Sequence, residues 1–296
     1  MTALLQLTLS GILVGCVFGL IAMGFVITYR SAHVFNMAYG QFAMVGAYMA
    51  WTFLGSPDSP RFPLWLGIIL TVLFAIAFGL FVERVFFRRM IGRPLFVPFM
   101  LTLGLLAVIN SVVLLVWGPA PLALAQTFPK GPVGVGEITL PQEYLWSFAV
   151  AMAALIAFVI FFRNTKLGLA IRAAYDNQVA ARCLGVSARL NSQIAWIISS
   201  LLATIGGILI ASVQGVSPLL GELAMSVLAV TMLGGLDSLV GCIAGGLVLA
   251  IGGNLASYYL NPHIQGISEV FGVLLILMVL LIRPAGLFGS KSIDRV

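Results

Sequence analysis

Nine long apolar runs, joined by short connections, constrain this chain more than anything else in it. They are Leu4–Tyr29, Phe35–Leu54, Leu64–Val82, Leu95–Trp117, Tyr144–Phe162, Ile194–Val213, Leu219–Leu233, Leu239–Leu260 and Ile267–Ile282. A run of this length in lipid must satisfy its backbone hydrogen bonds internally, so each is predicted to be helical. A membrane β-barrel would need short segments of alternating polarity, and these runs are continuous. Only 8% of the 296 residues are charged and mean hydropathy is +1.13, whereas a soluble domain carries about 25% charged residues. The expected fold is all-α: a polytopic transmembrane helical bundle of about eight to nine spans. No stretch is long and polar enough for a second domain, so residues 1–296 form one transmembrane domain. The first run is too long for a signal-peptide core and lacks a basic leader, so it is expected to be a retained span.

The basic residues give the orientation. Arg30 follows the first run; Arg84, Arg88, Arg89 and Arg93 follow the third; Arg163, Lys166, Arg172, Arg182 and Arg189 follow the fifth; Arg283, Lys291 and Arg295 follow the ninth. Nine crossings place all of these on one side and leave only Arg61 and Lys130 on the other. Positive charge marks the cytoplasmic side. The expected arrangement is a multi-pass protein with a cytoplasmic C-terminus and an N-terminus on the opposite, periplasmic side. The net charge of +6 and pI of about 9.6 thus report topology and not nucleic-acid binding.

Two runs are irregular. Leu219–Leu233 would be about 22 Å long as a helix, short of a core of about 30 Å; it is a tilted, short or broken helix. Phe35–Leu54 carries Asn36, Tyr39, Gly40, Gln41 and Gly46. Such residues are tolerated where a segment lines a cavity or faces other helices. Asn36, Tyr39, Gln41 and Asn110 are the candidate pore residues, with interhelical hydrogen bonding as the alternative role. Gly11, Gly15 and Gly19 make two consecutive GxxxG steps, and Gly241 and Gly245 repeat the spacing. Small residues at this spacing let helices approach closely, either within the chain or across a dimer.

Catalytic and metal chemistry find little support. Cys16, Cys183 and Cys242 lack metal-ligand spacing, and His33 and His263 are isolated. No phosphate-binding GxxxxGK[ST] loop is present. Glu222, Asp237 and Glu269 lie near the ends of runs and read as interfacial caps. Few acids are left for ion coupling.

The longest basic loop spans about residues 163–191. Asp176 or Asn177 can cap a helix start. Val179, Ala180, Cys183 and Leu184 then form a small apolar stripe, and Gly185 is a natural stop. The resulting helix, Asn177–Leu184, is too short to be stable alone. It docks either in a partner's groove or on its own bundle or the bilayer surface.

Four stretches together resemble a known family: ITYRSAHVFNMAYGQFAMVGAY (Ile27–Tyr48), TKLGLAIRAAYDNQVAARCLG (Thr165–Gly185), TMLGGLDSLVGCIAGG (Thr231–Gly246) and RPAGLFG (Arg283–Gly289). In this order and spacing the chain looks like a permease subunit of the ATP-driven branched-chain amino acid uptake systems of bacteria, of the first-permease type. The resemblance covers nearly the whole chain. It implies a bacterial inner-membrane protein that is not an enzyme and carries no cofactor, with ATP and Mg on partner ATPases. The implied partners are a second, similar permease, two cytoplasmic ATPases and an extracytoplasmic solute-binding protein; a heterodimer is expected, with a homodimer as the alternative.

The resemblance also assigns the loop. Permeases of ATP-driven transporters carry an Ala-Ala-x-x-x-Gly signature that docks into the ATPase, and Ala180, Ala181 and Gly185 match it. The implied coupling set is Asp176, Asn177, Val179, Ala180, Ala181, Leu184 and Gly185. Val179 replaces the usual acid, which leaves apolar packing to do more. Tyr39 stands where His is common, Gln41 where Glu is common, and Asp237 with Leu239-Val240 replaces a more usual glycine and proline-containing turn. The implied solutes are branched-chain or related amino acids; urea, short amides or other small carboxylic solutes are the alternative. A stand-alone channel or ion-coupled carrier would need no docking loop, and an intramembrane enzyme would need catalytic groups that the sequence does not offer.

Overall fold

The computed structural model describes residues 2–32, 34–90, 93–94, 96–125, 127–129, 131–135, 138–176, 178–263, 267–283 and 286–289. Helices dominate. In chain order they are α1 (Thr2–Ala32), α2 (Tyr39–Leu54), α3 (Leu64–Val85), α4 (Phe96–Trp117), α5 (Gln142–Asn164), α6 (Lys166–Asp176), α7 (Gln178–Cys183), α8 (Ala188–Gln214), α9 (Leu223–Gly234), α10 (Leu239–Tyr259) and α11 (Ile267–Ile282). Among the described residues, six helices are long and apolar enough to cross a membrane: α1, α3, α4, α5, α8 and α10. The remaining apolar runs give shorter helices, α2, α9 and α11. This is an all-α polytopic bundle. The strands are two small hairpins, β1 (Gly55–Ser56) with β2 (Ser59–Pro60) and β3 (Pro132–Val135) with β4 (Ile138–Pro141).

The helix starts follow ordinary rules. Ser187 caps α8 by accepting from the Leu190 N–H, and Ser238 caps α10 by accepting from the Gly241 N–H at 3.0 Å. Each hydroxyl satisfies a backbone donor that the helix cannot. Pro63 and Pro141 precede α3 and α5, where the missing N–H costs no hydrogen bond.

α1 is the central post. Most of it is buried, whereas α3, α4 and α5 each bury less than a third of their length. Those three helices present broad apolar faces, including Leu73, Phe81, Val108, Leu115, Ile156 and Ile160. In water such faces would be costly, but acyl chains solvate them.

Small residues bring α1 against α10. A Cβ on Gly11 would lie 2.8 Å from the Ile251 Cα, and one on Gly15 would lie 2.9 Å from the Gly246 carbonyl and the Leu247 Cα. Gly19 faces Ile243 and Cys242. Gly241 packs on Gly234 and Gly245 on Val230, which draws α9 into the same seam. Both glycine series therefore serve packing within the chain. The seam runs antiparallel, so α10 returns along α1 towards its N-terminal end.

The seam makes a direct prediction. Gly15→Leu should lower the melting temperature of the detergent-solubilised protein, because overpacking against backbone atoms costs about 1–3 kcal/mol or more. Gly104→Leu on α4, where nothing lies within 4 Å of the added Cβ, should leave the melting temperature unchanged. Thermal unfolding of the two variants side by side checks this.

Candidate functional site

Two interruptions of helical structure meet inside the bundle. The first separates α1 from α2. Residues 34–38 are not helical, so α2 begins at Tyr39, four residues later than the apolar run Phe35–Leu54 implies. The freed backbone groups find local partners. Asn36 is buried; its Oδ1 accepts from the Ala38 N–H at 3.1 Å, and its carbonyl accepts from the Tyr39 N–H at 3.1 Å. Thr102 of α4 reaches across: its hydroxyl accepts from the Met37 N–H and lies 3.3 Å from the Phe35 carbonyl. The same hydroxyl donates to the Phe99 carbonyl at 2.7 Å.

The second interruption falls in the short run Leu219–Leu233, which is a broken helix. A 3-10 turn, Pro218–Glu222, precedes α9. Pro218 supplies the fixed backbone angle at the start of that turn. Ahead of it, Val216 exchanges two backbone hydrogen bonds with Leu122, at 2.8 and 2.9 Å, at the end of the bundle where α4 and α8 finish.

The two breaks abut. Gly40, in the first turn of α2, lies directly on the Gly221 carbonyl and the Ala224 N–H. Gly221 in turn sits under the Gln41 amide, whose Nε2 lies 3.0 Å from the position of an added Cβ. A side chain at position 40 would meet backbone and hold these segments apart, whereas one at position 221 would meet only the ends of the Gln41 and Met44 side chains. Behind them, Gly46 of α2 packs on Thr204 of α8 and Gly207 of α8 packs on Ala43.

Aromatic rings anchor the start of α2. The Tyr39 hydroxyl donates to the Ser199 carbonyl of α8 at 3.0 Å and lies against Gly24 of α1. Phe35 contacts Tyr29 and Phe25, Phe25 contacts Tyr39, and Phe42 contacts Trp196. Trp196 stacks on Phe87 at 4.1 Å, next to the 3-10 turn Phe87–Met90.

Asn36, Tyr39 and Gln41 are therefore brought together, each at least nine-tenths buried. Among the described residues, Asn36 Nδ2 and Gln41 Oε1 have no protein hydrogen-bond partner. Asn110 stands apart: it is half-buried on α4, eight residues and so about 12 Å beyond Thr102.

The basic end of the bundle carries α6, α7 and the start of α8. Helix α7 spans Gln178–Cys183, one residue shorter at each end than the sequence implies. Leu184 donates its N–H to the Ala180 carbonyl and Val186 to the Ala181 carbonyl, across Gly185 at φ +85°. That angle is one that glycine adopts without strain. Ala181 is buried, whereas Ala180, Cys183 and Leu184 are exposed, Leu184 by 83%. Asp176 closes α6 by its backbone; its side chain, that of Val179 and all of Asn177 lie outside the described residues, as does His33. Just before α7, Tyr175 stacks under the Arg30 guanidinium at 4.3 Å, which ties this loop to the end of α1 beside the first break.

Three residues escape sequence reasoning. Thr102 is a lone hydroxyl in an apolar run and carries no signal of its own. Glu83 is fully buried and pairs with Arg88 at 3.1 Å; four nearby arginines make it look like a loop acid. Glu222 lies at the junction of the 3-10 turn and α9, where its side chain caps no helix N–H. Among the described residues no group of His, Cys, Asp and Glu is placed to hold a metal ion.

The fold and these breaks define a class: a multi-pass membrane protein with two interrupted helices apposed inside its bundle. The family described as "Branched-chain amino acid transport system / permease component" matches residues 7–282, and the chain belongs to it. It is 28% identical to the high-affinity branched-chain amino acid transport system permease protein LivH of Salmonella typhimurium, over 99% of this chain and 97% of that protein. It is 25% identical to the corresponding protein BraD of Pseudomonas aeruginosa, over 99% of this chain and 98% of that one. A probable branched-chain amino acid transport permease protein LivH of Methanocaldococcus jannaschii is 29% identical over 91% of this chain and 88% of that protein.

Thr102→Val should test the first break. The isosteric change strips the Met37 N–H of its hydroxyl acceptor, at a cost of about 1–3 kcal/mol. Thr102→Ser should keep most of the stability. Thermal unfolding of the two variants gives the comparison, and equal stability of both would show that Thr102 does not support the break.

Proposed function

We propose that this chain is the membrane-spanning permease subunit of an ATP-driven importer and forms part of the path for branched-chain or related amino acids. The carrying observation is the pairing of an exposed apolar docking helix with two apposed helix breaks, in a chain of the branched-chain amino acid permease family. In this reading the basic end faces the cytoplasm, the C-terminus lies there and the N-terminus lies on the opposite side. The membrane is a bacterial inner membrane.

The partners are a second permease chain, two cytoplasmic ATPases and a solute-binding protein on the far side. ATP and Mg are held by the ATPases, and this chain supplies no catalytic group. The exposed face of α7, Ala180, Cys183 and Leu184, seats in the ATPase. Ala180 is small enough for close approach, and Gly185 turns the chain away from the contact. Asp176, Asn177, Val179, Ala181 and Leu184 complete this coupling loop.

Movement of α7 reaches the breaks by a short route. Tyr175, in the last turn of α6 and three residues before α7, grips Arg30, which lies six residues before Asn36. A push on Tyr175 is thus delivered to the segment that connects α1 with α2. Rigid helices joined at breaks can take up two discrete packings, which is what alternating access requires. Asn36, Tyr39 and Gln41 line or support the moving part, and the free Nδ2 of Asn36 and Oε1 of Gln41 offer one donor and one acceptor there. Asn110, placed apart on α4, is a weaker candidate for the path.

Mild-detergent purification tests the docking. The wild-type chain should bring down an ATPase and a second permease. Ala180→Glu and Gly185→Val should each reduce ATPase recovery about tenfold, equivalent to about 1.4 kcal/mol of lost binding, with permease pairing intact. Undiminished ATPase recovery from both variants, or solute uptake by the chain alone, would contradict the reading.

A further inference from the structure

Glu222 is an exposed carboxylate at the junction between the 3-10 turn and α9. Helix α9 carries the chain from Leu223 to Gly234, about 18 Å from Glu222 to the turn at the basic end. In the other direction, Val216 marks the opposite end of the bundle, and the intervening turn rises about 2 Å per residue. Gly221 and Ala224, on either side of Glu222, pack on Gly40, next to Tyr39, whose hydroxyl bonds Ser199 in the middle of α8. Glu222 therefore sits inside the bundle, between the turn at the basic end and Val216 at the other end.

The other acids whose side chains are described are placed differently. Glu83 is buried and paired, Asp58 lies in the hairpin turn, Glu143 in the first turn of α5 and Asp237 in the turn between α9 and α10. Glu222 forms no ion pair among the described residues. It occupies the N-cap position of α9, yet its side chain makes no capping hydrogen bond, so its expected role as a cap is not realised. Leu219 and Met225, three residues to either side, are 69% and 72% exposed. A spacing of three puts all three side chains on one face.

A charged side chain turned to acyl chains is costly. Irregular backbone within a membrane is tolerated where it is buried in protein or lines a water-filled cavity. The face bearing Glu222 is not buried in this chain, and lipid does not suit it. We propose that this face lines the aqueous solute path, with Glu222 as the specificity-determining residue that receives the solute's ammonium group. Leu219 and Met225 flank the carboxylate with apolar surface. An anion between two apolar side chains fits an aliphatic α-amino acid: the ammonium on Glu222, the hydrocarbon side chain on Leu219 or Met225. The ligand assignment rests on the importer reading; the wetness and charge of the face do not.

Charge-selective labelling provides the test. Leu219→Cys and Met225→Cys are each treated, in membranes holding the transporter, with a water-soluble thiosulfonate bearing an ammonium group and with one bearing a sulfonate. Peptide mass spectrometry separates label at these positions from label on Cys16, Cys183 and Cys242. The cationic reagent should react about fivefold faster, as a nearby unit charge in a wet cleft implies. Adding Glu222→Gln should remove the preference, and Glu222→Asp should keep it. Glu222→Gln alone should lower ATP-driven amino acid uptake about tenfold with the ATPase still attached. Failure of both reagents to reach either cysteine in an active transporter would overturn the proposal, as would equal rates that ignore Glu222. The expected labelling without ATP-driven uptake by the wild type would uphold a wet, anionic face and overturn the importer reading instead.

Discussion

Backbone groups freed inside a membrane have no water to bond, and the rest of this structure depends on how that need is met at two places. Between α1 and α2 the solution is side chains: Asn36 Oδ1 takes the Ala38 N–H, and the Thr102 hydroxyl takes the Met37 N–H. Between α8 and α9 it is a tight turn, with the Leu223 N–H donating within Pro218–Glu222, and a backbone exchange of Val216 with Leu122. Both breaks are then pressed together at Gly40 and Gly221, where backbone meets backbone without intervening side chains. Such contacts are tolerated at membrane depth because protein encloses them.

Close packing elsewhere serves this arrangement. The α1–α10 seam and the Gly234–Gly241 contact hold α9 beside α1, so the second break is delivered to the first. Helix α1, the most buried span, also carries Tyr29 and Arg30 out to the basic end, where Arg30 meets Tyr175. One element thus touches the glycine seam, the first break and the loop that presents α7. A bundle built this way can be rigid within helices and still yield at the breaks.

Much of the fold is legible in the sequence because lipid imposes a simple rule: a long apolar run is a helix. The breaks are legible in part. Asn36, Gly40 and Gln41 in an apolar run mark the first, and the shortness of Leu219–Leu233 marks the second. That the two breaks touch is not legible, because Gly40 and Gly221 are 181 residues apart and no local pattern links them. Thr102 hides for the same reason: a hydroxyl in an apolar helix is ordinary until a distant N–H is found opposite it. Glu222 is legible as an acid near the start of a short run, but its place at the junction of a 3-10 turn and α9 is not. Asn110 is the reverse case: a polar residue in a span that the fold leaves away from the breaks. Ala180, Cys183 and Leu184 of the expected stripe are exposed together, and Ala181, which is not part of it, is buried.

In the proposed importer, the two apposed breaks must move against each other for solute to pass. A disulfide between Gln41→Cys and Gly221→Cys tests it most directly. The Gln41 side chain already reaches to 3.0 Å from where a Cβ on residue 221 would lie. ATP-driven uptake should stop when the pair is oxidised and return on reduction, with the assembled complex intact in both states. A cross-linked transporter that takes up solute at the wild-type rate would contradict the account.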